Sequence, residues 1–114
     1  MLIAANRYLE GNGISKITGL HYQPKMRCLY LHENLIEKIE NLQDMPNLDT
    51  VNLSKNSIEV VENLGELSVL KTLLLGHNCI ENVENLQGLL ECPSIQVGCC
   101  VVCCLRCLRV FSTG

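Results

Sequence analysis

The chain has 114 residues, of which 47% are hydrophobic and 18% are charged, with a formal net charge of −3. This composition suits one small globular unit, excludes a disordered tail, and disfavours nucleic-acid binding because of the negative sign. No apolar run approaches the roughly 18 residues that a membrane helix needs, and the N-terminus lacks the features of a secretory signal. We therefore expect a cytoplasmic protein with no membrane partner, whose cysteines are reduced thiols.

One short sequence, the (I/V)-E-N-L phrase, recurs along the chain with a period of 22 residues. EKIENL begins at Glu37, EVVENL at Glu59 and ENVENL at Glu81. An asparagine column keeps the same spacing and consists of Asn12, Asn34, Asn56 and Asn78. A strict period of this length predicts stacked, similar turns of chain, each of which buries its apolar edge against its neighbours.

The N-terminal segment, residues 1–7, does not match the repeat. Arg7 stands where the apolar position corresponding to Leu29 is expected. The predicted repeat domain therefore spans residues 8–97, with about four repeats and the start of a fifth.

Each turn begins with a short strand. The run from Met26 to Ile36 reads L-x-x-L-x-L-x-x-N-x-I with methionine in the first position, which is the leucine-rich-repeat pattern. Leu29 and Leu31 alternate with a period of two, so both face the core. Strands are predicted near 29–31, 51–53 and 73–75, with a weaker one near 8–9. The asparagine that follows each strand is expected to point inward and to satisfy backbone groups of the turn.

The rest of each turn returns on the other side of the core. Apolar residues spaced by three predict helical or 3₁₀ turns at about 42–45, 64–67 and 86–91. The predicted fold class is therefore α/β: a right-handed leucine-rich-repeat solenoid with a parallel β-sheet on its concave face and short helical or 3₁₀ turns on its convex face.

The concave face is the candidate interaction surface, because repeat solenoids hold protein partners on such sheets. The outward-pointing strand residues proposed to bind a partner are Tyr30, His32, Asn52, Ser54 and Leu74. The alternative is that these are ordinary surface residues of the sheet. Two acidic columns, which contain Glu37 and Glu40 in the second turn, are read as a solvated outer edge or as a strip for a basic partner.

Nothing in the repeats indicates catalysis. The three histidines occupy unrelated repeat positions, and no nucleophile-elbow, P-loop or zinc-protease motif is present. We predict a protein that is not an enzyme and that uses no cofactor and no metal.

The pattern ends at Val97, and residues 98–114 form a cysteine-rich, non-repeat tail. Five of the eight cysteines fall between Cys99 and Cys107. A zinc site, palmitoylation beside Arg106 and Arg109, or an unusual cap are possible interpretations. The favoured interpretation is a translated intron or alternative exon, because the composition changes abruptly within a repeat.

Longer strings resemble a known family. The 22-residue turn is similar to the leucine-rich-repeat subclass typified by a phosphatase-1 regulatory subunit. LYLHENLIEKIENL, LDTVNLSKNSI, VENLGELSVLKTLLLGHN and ECPSIQV resemble the dynein axonemal assembly factor 1 family, from about Tyr8 to Val97. That family's repeats continue to a cap and a long C-terminal region, so the chain is interpreted as a truncated member.

The resemblance implies a cytoplasmic, cilium-associated scaffold that is required for cilia structure through assembly of axonemal dynein arms. Its implied partners are dynein arm components or assembly chaperones. The alternatives are a phosphatase-binding or other regulatory leucine-rich-repeat scaffold, a truncated product without function, and an enzyme with the cysteine tail as its reactive part.

Overall fold

Each repeat contributes one short strand to a single parallel sheet. The computed structural model describes residues 6–19, 21–92, 95 and 101–102. The five strands, in chain order, are β1 (Asn6–Tyr8), β2 (Cys28–Tyr30), β3 (Thr50–Asn52), β4 (Thr72–Leu75) and β5 (Val101–Val102). They pair in parallel in the order β1-β2-β3-β4-β5, as a solenoid requires.

The register of the sheet reproduces the 22-residue period. Leu29 pairs with Val51, and Val51 pairs with Leu73. These central strand residues are fully buried, whereas the strand residues on either side are half-buried. The parallel sheet of a leucine-rich-repeat fold is thereby confirmed, with β2, β3 and β4 beginning one residue earlier than predicted. Leu31 and Leu53 still face the core, although each lies just after the end of its strand.

The first strand, predicted near 8–9, begins in the segment that the sequence analysis placed outside the repeat, and the last strand lies entirely within the other such segment. β1 contains Asn6 and Arg7, and Arg7 pairs with Leu29 although its own side chain is exposed. β5 falls within the cysteine-rich tail, where Val101 pairs with Leu74. That pairing spans 27 residues (101 − 74), five more than the repeat period. Strands therefore pair even where Arg7 replaces the apolar residue of the pattern and where the connection to the next strand is longer than the repeat.

The return segments differ from one another more than the strands do. A 3₁₀ helix at Leu42–Asp44 lies where one was predicted, and a longer one covers Val83–Glu91. Around 64–67 the described chain forms turns, with the Leu67 N–H donating to the Leu64 carbonyl at 3.0 Å, but no 3₁₀ helix. Within the described residues, no helix is long and apolar enough to cross a membrane.

A continuous core of aliphatic side chains fills the space between the sheet and the return segments. Its fully buried members include Leu29, Ile36, Ile39, Leu42, Met45, Leu48, Val51, Leu53, Ile58, Leu64, Leu70, Leu73, Leu75 and Leu86. Because aliphatic burial contributes roughly 25 cal/mol per Å² of apolar area, this continuous core is the main source of stability.

Buried asparagines join consecutive turns by hydrogen bonds. The Asn56 amide nitrogen donates to the carbonyl of Leu31 in the preceding turn (3.0 Å) and to those of Leu53 and Ser54 in its own (3.1 Å each). Its side-chain oxygen accepts from the Ile36 N–H at 2.9 Å. One side chain therefore satisfies backbone groups of two turns, which no aliphatic residue can do.

The same arrangement recurs at Asn34 and Asn78, but not at the first member of the column. The oxygens of Asn34 and Asn78 accept from the N–H groups of Ile14 and Ile58, respectively, each at 2.9 Å. Asn12 is exposed, and within the described part of the chain its side chain makes no hydrogen bond. Three of the four predicted ladder residues thus bond as a ladder, and the fourth contributes its backbone N–H to Asn34 at 3.0 Å.

Left-handed residues recur in two columns at which the chain reverses. The residue before each ladder asparagine has a positive φ, between 55° and 68°, at Gly11, Glu33, Lys55 and His77. A second such column contains Gly19, Asn41 and Asn63, with φ between 61° and 73°. Asn41 and Asn63 belong to the (I/V)-E-N-L phrase and donate to the carbonyls of Ile17 (2.6 Å) and Ile39 (2.7 Å). Asparagine suits this position because it tolerates the left-handed conformation and its side-chain amide reaches a carbonyl of the preceding turn.

The last return segment packs closely on the one before it. A Cβ atom at Gly88 would lie 2.1 Å from the Val61 carbonyl oxygen and 2.6 Å from the carbon of the same group. Both are backbone atoms, so no side chain can move aside. Glycine at this position is therefore required by the approach of the two turns.

We expect Asn56→Leu to lower the free energy of unfolding by at least about 3 kcal/mol, because it strands buried backbone groups at about 1–3 kcal/mol each. Urea denaturation measures the change. The control is Asn12→Leu in the same column, where the exposed side chain makes none of these bonds. Equal midpoints for the two variants would contradict the role assigned to the ladder.

We expect Gly88→Ala to lower the free energy of unfolding by about 1–3 kcal/mol, as other overpacking substitutions do. Gly65→Ala is the matched control, because nothing lies within 4 Å of a Cβ atom at Gly65. Thermal melting of both variants makes the comparison. A Gly88→Ala protein that melts with Gly65→Ala would show that the turns do not approach so closely.

Candidate interaction surface on the concave sheet

The outward-facing strand residues form rows across the sheet. The central row contains Tyr8, Tyr30, Asn52 and Leu74, because these residues are register partners in β1 to β4. Parallel strands lie about 4.8 Å apart, so register partners hold their side chains within contact distance. The row changes character along its length, from aromatic at β1 and β2 to polar at β3 and aliphatic at β4.

The aromatic end of the row is an ordered cluster. The rings of Tyr8 and Tyr30 stack with centroids 4.9 Å apart and planes within 1° of each other. His32 approaches Tyr30 edge-on, with centroids 6.4 Å apart and an interplanar angle of 86°. Such pairs contribute about 0.5–1.5 kcal/mol beyond the area that they bury, so stacking favours this arrangement before any partner arrives.

The cluster remains accessible to solvent. Tyr8 is 63% exposed, and Tyr30 and His32 are half-buried. The pKa of Tyr30 is raised above its ordinary value, first by the neighbouring Cys28 thiol and then by burial. Tyr30 therefore presents a neutral hydroxyl at neutral pH, which can donate or accept a hydrogen bond.

His32 has one buried ring nitrogen, Nδ1, without a polar partner among the described residues. The side chain as a whole is half-buried. His32 therefore joins the cluster through the edge-on packing of its ring against Tyr30.

The other predicted binding residues lie towards the C-terminal half of the sheet. The Asn52 oxygen accepts from the Ser54 N–H at 3.1 Å, so these two residues bond to each other across the end of β3. Leu74 is half-buried and lies two strands away from Tyr30 in the same row. Next to it, Gly76 is buried and carries no side chain. The five predicted residues therefore share one face, with an aromatic wall at one end and short side chains around Leu74 at the other.

Tyr8 was not among the five residues predicted to bind a partner, although it is the most exposed aromatic residue of this face. It belongs to β1, whose match to the repeat is weak because of Arg7. The signal that could have identified it is the 22-residue spacing between Tyr8 and Tyr30, since equal repeat positions become neighbours in the sheet.

The outer edge of the solenoid is acidic and open to water. Glu37, Glu59 and Glu81 are exposed, and Glu40 and Glu62 are half-buried. An open recess of about 500 Å³ is lined by Glu40, Asn41, Gln43, Asn63, Gly65, Glu66 and Glu91. Repelling carboxylates this close to solvent contribute little to folding, and they are spread along the edge rather than converging on one point.

The described residues hold no constellation of metal ligands. Among them, no group of three or more histidine, cysteine or acidic side chains could hold a metal ion. Cys28, Cys79 and Cys92 are free thiols. Cys99, Cys100, Cys103, Cys104 and Cys107 lie outside the described residues, so the interpretations of the tail as a zinc site or a lipidated segment stay sequence-based.

Cys92 closes the core at the end of the second 3₁₀ helix. Its thiol is buried and donates to the Leu64 carbonyl at 3.1 Å. Burial raises the pKa of the Cys92 thiol, and the Glu91 carboxylate raises it further. A protonated, buried thiol is a poor nucleophile, so Cys92 is a packing residue.

Comparison with known proteins identifies the architecture. No protein-family model and no curated protein sequence matches the chain. A solved structure that matches is the crystal structure of the Drosophila melanogaster SNF/U2A′ complex, in a leucine-rich-repeat chain. The TM-score is 0.72 at 18% sequence identity, over 96% of this chain and 67% of that one. At this identity the likeness establishes the leucine-rich-repeat fold.

We expect a thiol reagent at neutral pH to label Cys79 at least about tenfold faster than Cys92 in the folded protein, because Cys79 is exposed and Cys92 is buried with a raised pKa. Peptide mapping of the labelled sites measures both rates. Unfolding the protein in urea removes the difference and serves as the control.

The raised pKa of Cys92 also gives a pH dependence. Because the folded state holds this proton more tightly than the unfolded state, the contribution to stability is fully present below the unfolded pKa. It is lost as the pH rises through the folded pKa. The free energy of unfolding should therefore fall more steeply at alkaline pH in the unmodified chain than in Cys92→Ala, and parallel curves would contradict the assignment.

Proposed function

We propose that the protein is a non-enzymatic interaction scaffold that binds a protein partner on its concave sheet. The observation that carries the proposal is the stacked, solvent-accessible pair of Tyr8 and Tyr30, edged by His32. Aromatic residues anchor protein interfaces because they bury much area while losing little side-chain entropy. A cluster that is already ordered in the free protein loses still less on binding.

The concave face suits a partner better than the acidic edge for a physical reason. The edge carboxylates are hydrated and screened by salt, so each contributes little net affinity. The concave row instead offers an aromatic wall and, at Leu74, an aliphatic contact surrounded by short side chains. A partner that places an apolar residue over Leu74 and lies against Tyr30 buries both.

The finer proposal concerns the process that this scaffold serves. The strings between Tyr8 and Val97 that resemble the dynein axonemal assembly factor 1 family support a cilium-specific, cytoplasmic role in the assembly of axonemal dynein arms. Partners in that role are dynein arm components or assembly chaperones. The likeness to the SNF/U2A′ structure bears on the fold and does not select among such roles.

We expect Tyr30→Ala and Leu74→Ala each to weaken partner binding by about tenfold or more, the effect of losing a buried anchor worth at least about 1.4 kcal/mol. The measurement uses the full chain as bait in cytoplasm from ciliated cells, with captured dynein heavy chains and chaperones quantified by mass spectrometry.

Glu62→Ala is the control, because Glu62 belongs to the acidic edge and not to the concave row. The amount of partner captured by the Glu62→Ala variant should stay within about twofold of the amount captured by the unmodified chain, as for other rim charges. Equal losses for all three variants, at equal thermal stability, would move the binding site to the outer edge. Capture of a phosphatase catalytic subunit in place of dynein components would favour the regulatory-scaffold alternative.

A further inference from the structure

One asparagine of the ladder column has different surroundings from the others. Asn34, Asn56 and Asn78 are each held through both the nitrogen and the oxygen of the side-chain amide. Asn12 is exposed, and its amide makes no hydrogen bond to the described residues. No hydrogen bond from the described residues therefore holds the Asn12 side chain away from its own backbone.

The residue after Asn12 makes that freedom chemically important. The chain contains eleven asparagines, and only Asn12 precedes a glycine. Gly13 is exposed, has a φ of 68°, and has no atom within 4 Å of the position of a Cβ. Without a side chain, the Gly13 amide nitrogen can approach the Asn12 side-chain carbonyl with little steric resistance.

We propose that Asn12 is a covalent modification site that deamidates spontaneously through a cyclic imide. The Gly13 backbone nitrogen gives its proton to water and forms a bond to the Asn12 Cγ atom. The bond from Cγ to the side-chain nitrogen breaks, and that nitrogen takes a proton from water and leaves as ammonia. Water then opens the five-membered imide at either carbonyl, which yields aspartate or isoaspartate. Water and hydroxide are the only co-reactants, and no electrons are transferred.

The ladder protects the other members of the column from the same reaction. Asn56 must break its bonds to Leu31, Leu53 and Ile36 before its side chain can turn. Each buried bond that must break lowers the population of the reactive conformation and therefore the rate. In addition, the residue that follows each of these asparagines carries a side chain. We therefore expect Asn12 to react at least about tenfold faster than any buried ladder asparagine.

Isoaspartate at this position loosens the first turn from the second. The N–H groups of Asn12 and Ile14 both donate to the Asn34 side-chain oxygen, at 3.0 and 2.9 Å. In isoaspartate the backbone passes through Cγ, so one methylene is added between these two donors. A single oxygen can then no longer accept both bonds with good geometry. Aspartate leaves the backbone path unchanged and keeps both donors in place.

The test follows deamidation in the full chain. The protein is incubated at mildly alkaline pH, and peptide mapping with an isoaspartyl methyltransferase as the probe locates the products. Ammonia release, a mass gain and methylation at Asn12, at least about tenfold ahead of Asn34, Asn56 and Asn78, are the expected result. Modification of Asn12 no faster than of exposed Asn6, which precedes Arg7, overturns the proposal.

Two variants separate the chemistry from its structural effect. Asn12→Gln keeps an amide but requires a larger ring, so it should suppress the modification while the fold is retained. Asn12→Asp reproduces the aspartate product on an unaltered backbone. Hydrogen exchange at Asn12 and Ile14 should speed up in aged, isoaspartate-containing protein but not in fresh Asn12→Asp protein. Equal exchange in the two samples overturns the loosening.

Discussion

The structure depends on one requirement: a buried chain must reverse direction twice in every turn without leaving backbone polar groups unpaired. The ladder asparagine meets the first reversal, because its amide bonds the carbonyls of two successive turns and its oxygen accepts an N–H from the preceding turn. The asparagine of the (I/V)-E-N-L phrase meets the second reversal in the turns that contain Asn41 and Asn63. Both sets of bonds reach back 20 to 25 residues, so they fix the length of a repeat.

Much of this arrangement could be predicted from spacing, because each core position recurs and each strand pairs with its copy. The parallel sheet and the inward direction of Asn34, Asn56 and Asn78 follow from that recurrence. The role of Asn41 and Asn63 was not predicted, because a recurring asparagine does not by itself reveal a left-handed φ. The helical turn predicted at about 86–91 is present, but its extension back to Val83 and the pairing of Val101 with Leu74 were not predicted, for another reason. Both depend on how the last turn packs, for example on the contact of Gly88 with Val61, and not on the repeat itself.

The candidate site was less predictable than the fold. Period and alternation place Tyr30, His32, Asn52, Ser54 and Leu74 on one face, but they do not say which of them touch. The contact between Tyr8 and Tyr30 requires β1 to continue the register despite Arg7, which only the backbone pairing reveals.

The distribution of charge also favours the sheet as the candidate surface. The return segments 34–48, 56–70 and 78–92 carry three acidic residues each, with Lys38 as their single lysine or arginine. Such a field discourages self-association on the outer side and leaves the sheet as the surface suited to close contact.

Strands that pair only with their neighbours in sequence also determine how the protein moves. A solenoid of this kind behaves like a one-dimensional chain of coupled units, so opening begins at its ends and the central turns exchange last. Tyr8 belongs to β1, the first strand of the described sheet, and its ring stacks on Tyr30 in the next unit. A partner that covers both rings therefore holds β1 against β2. Partner binding would then slow the local opening of the first turn. The partner would thereby increase local order without changing the shape of the protein.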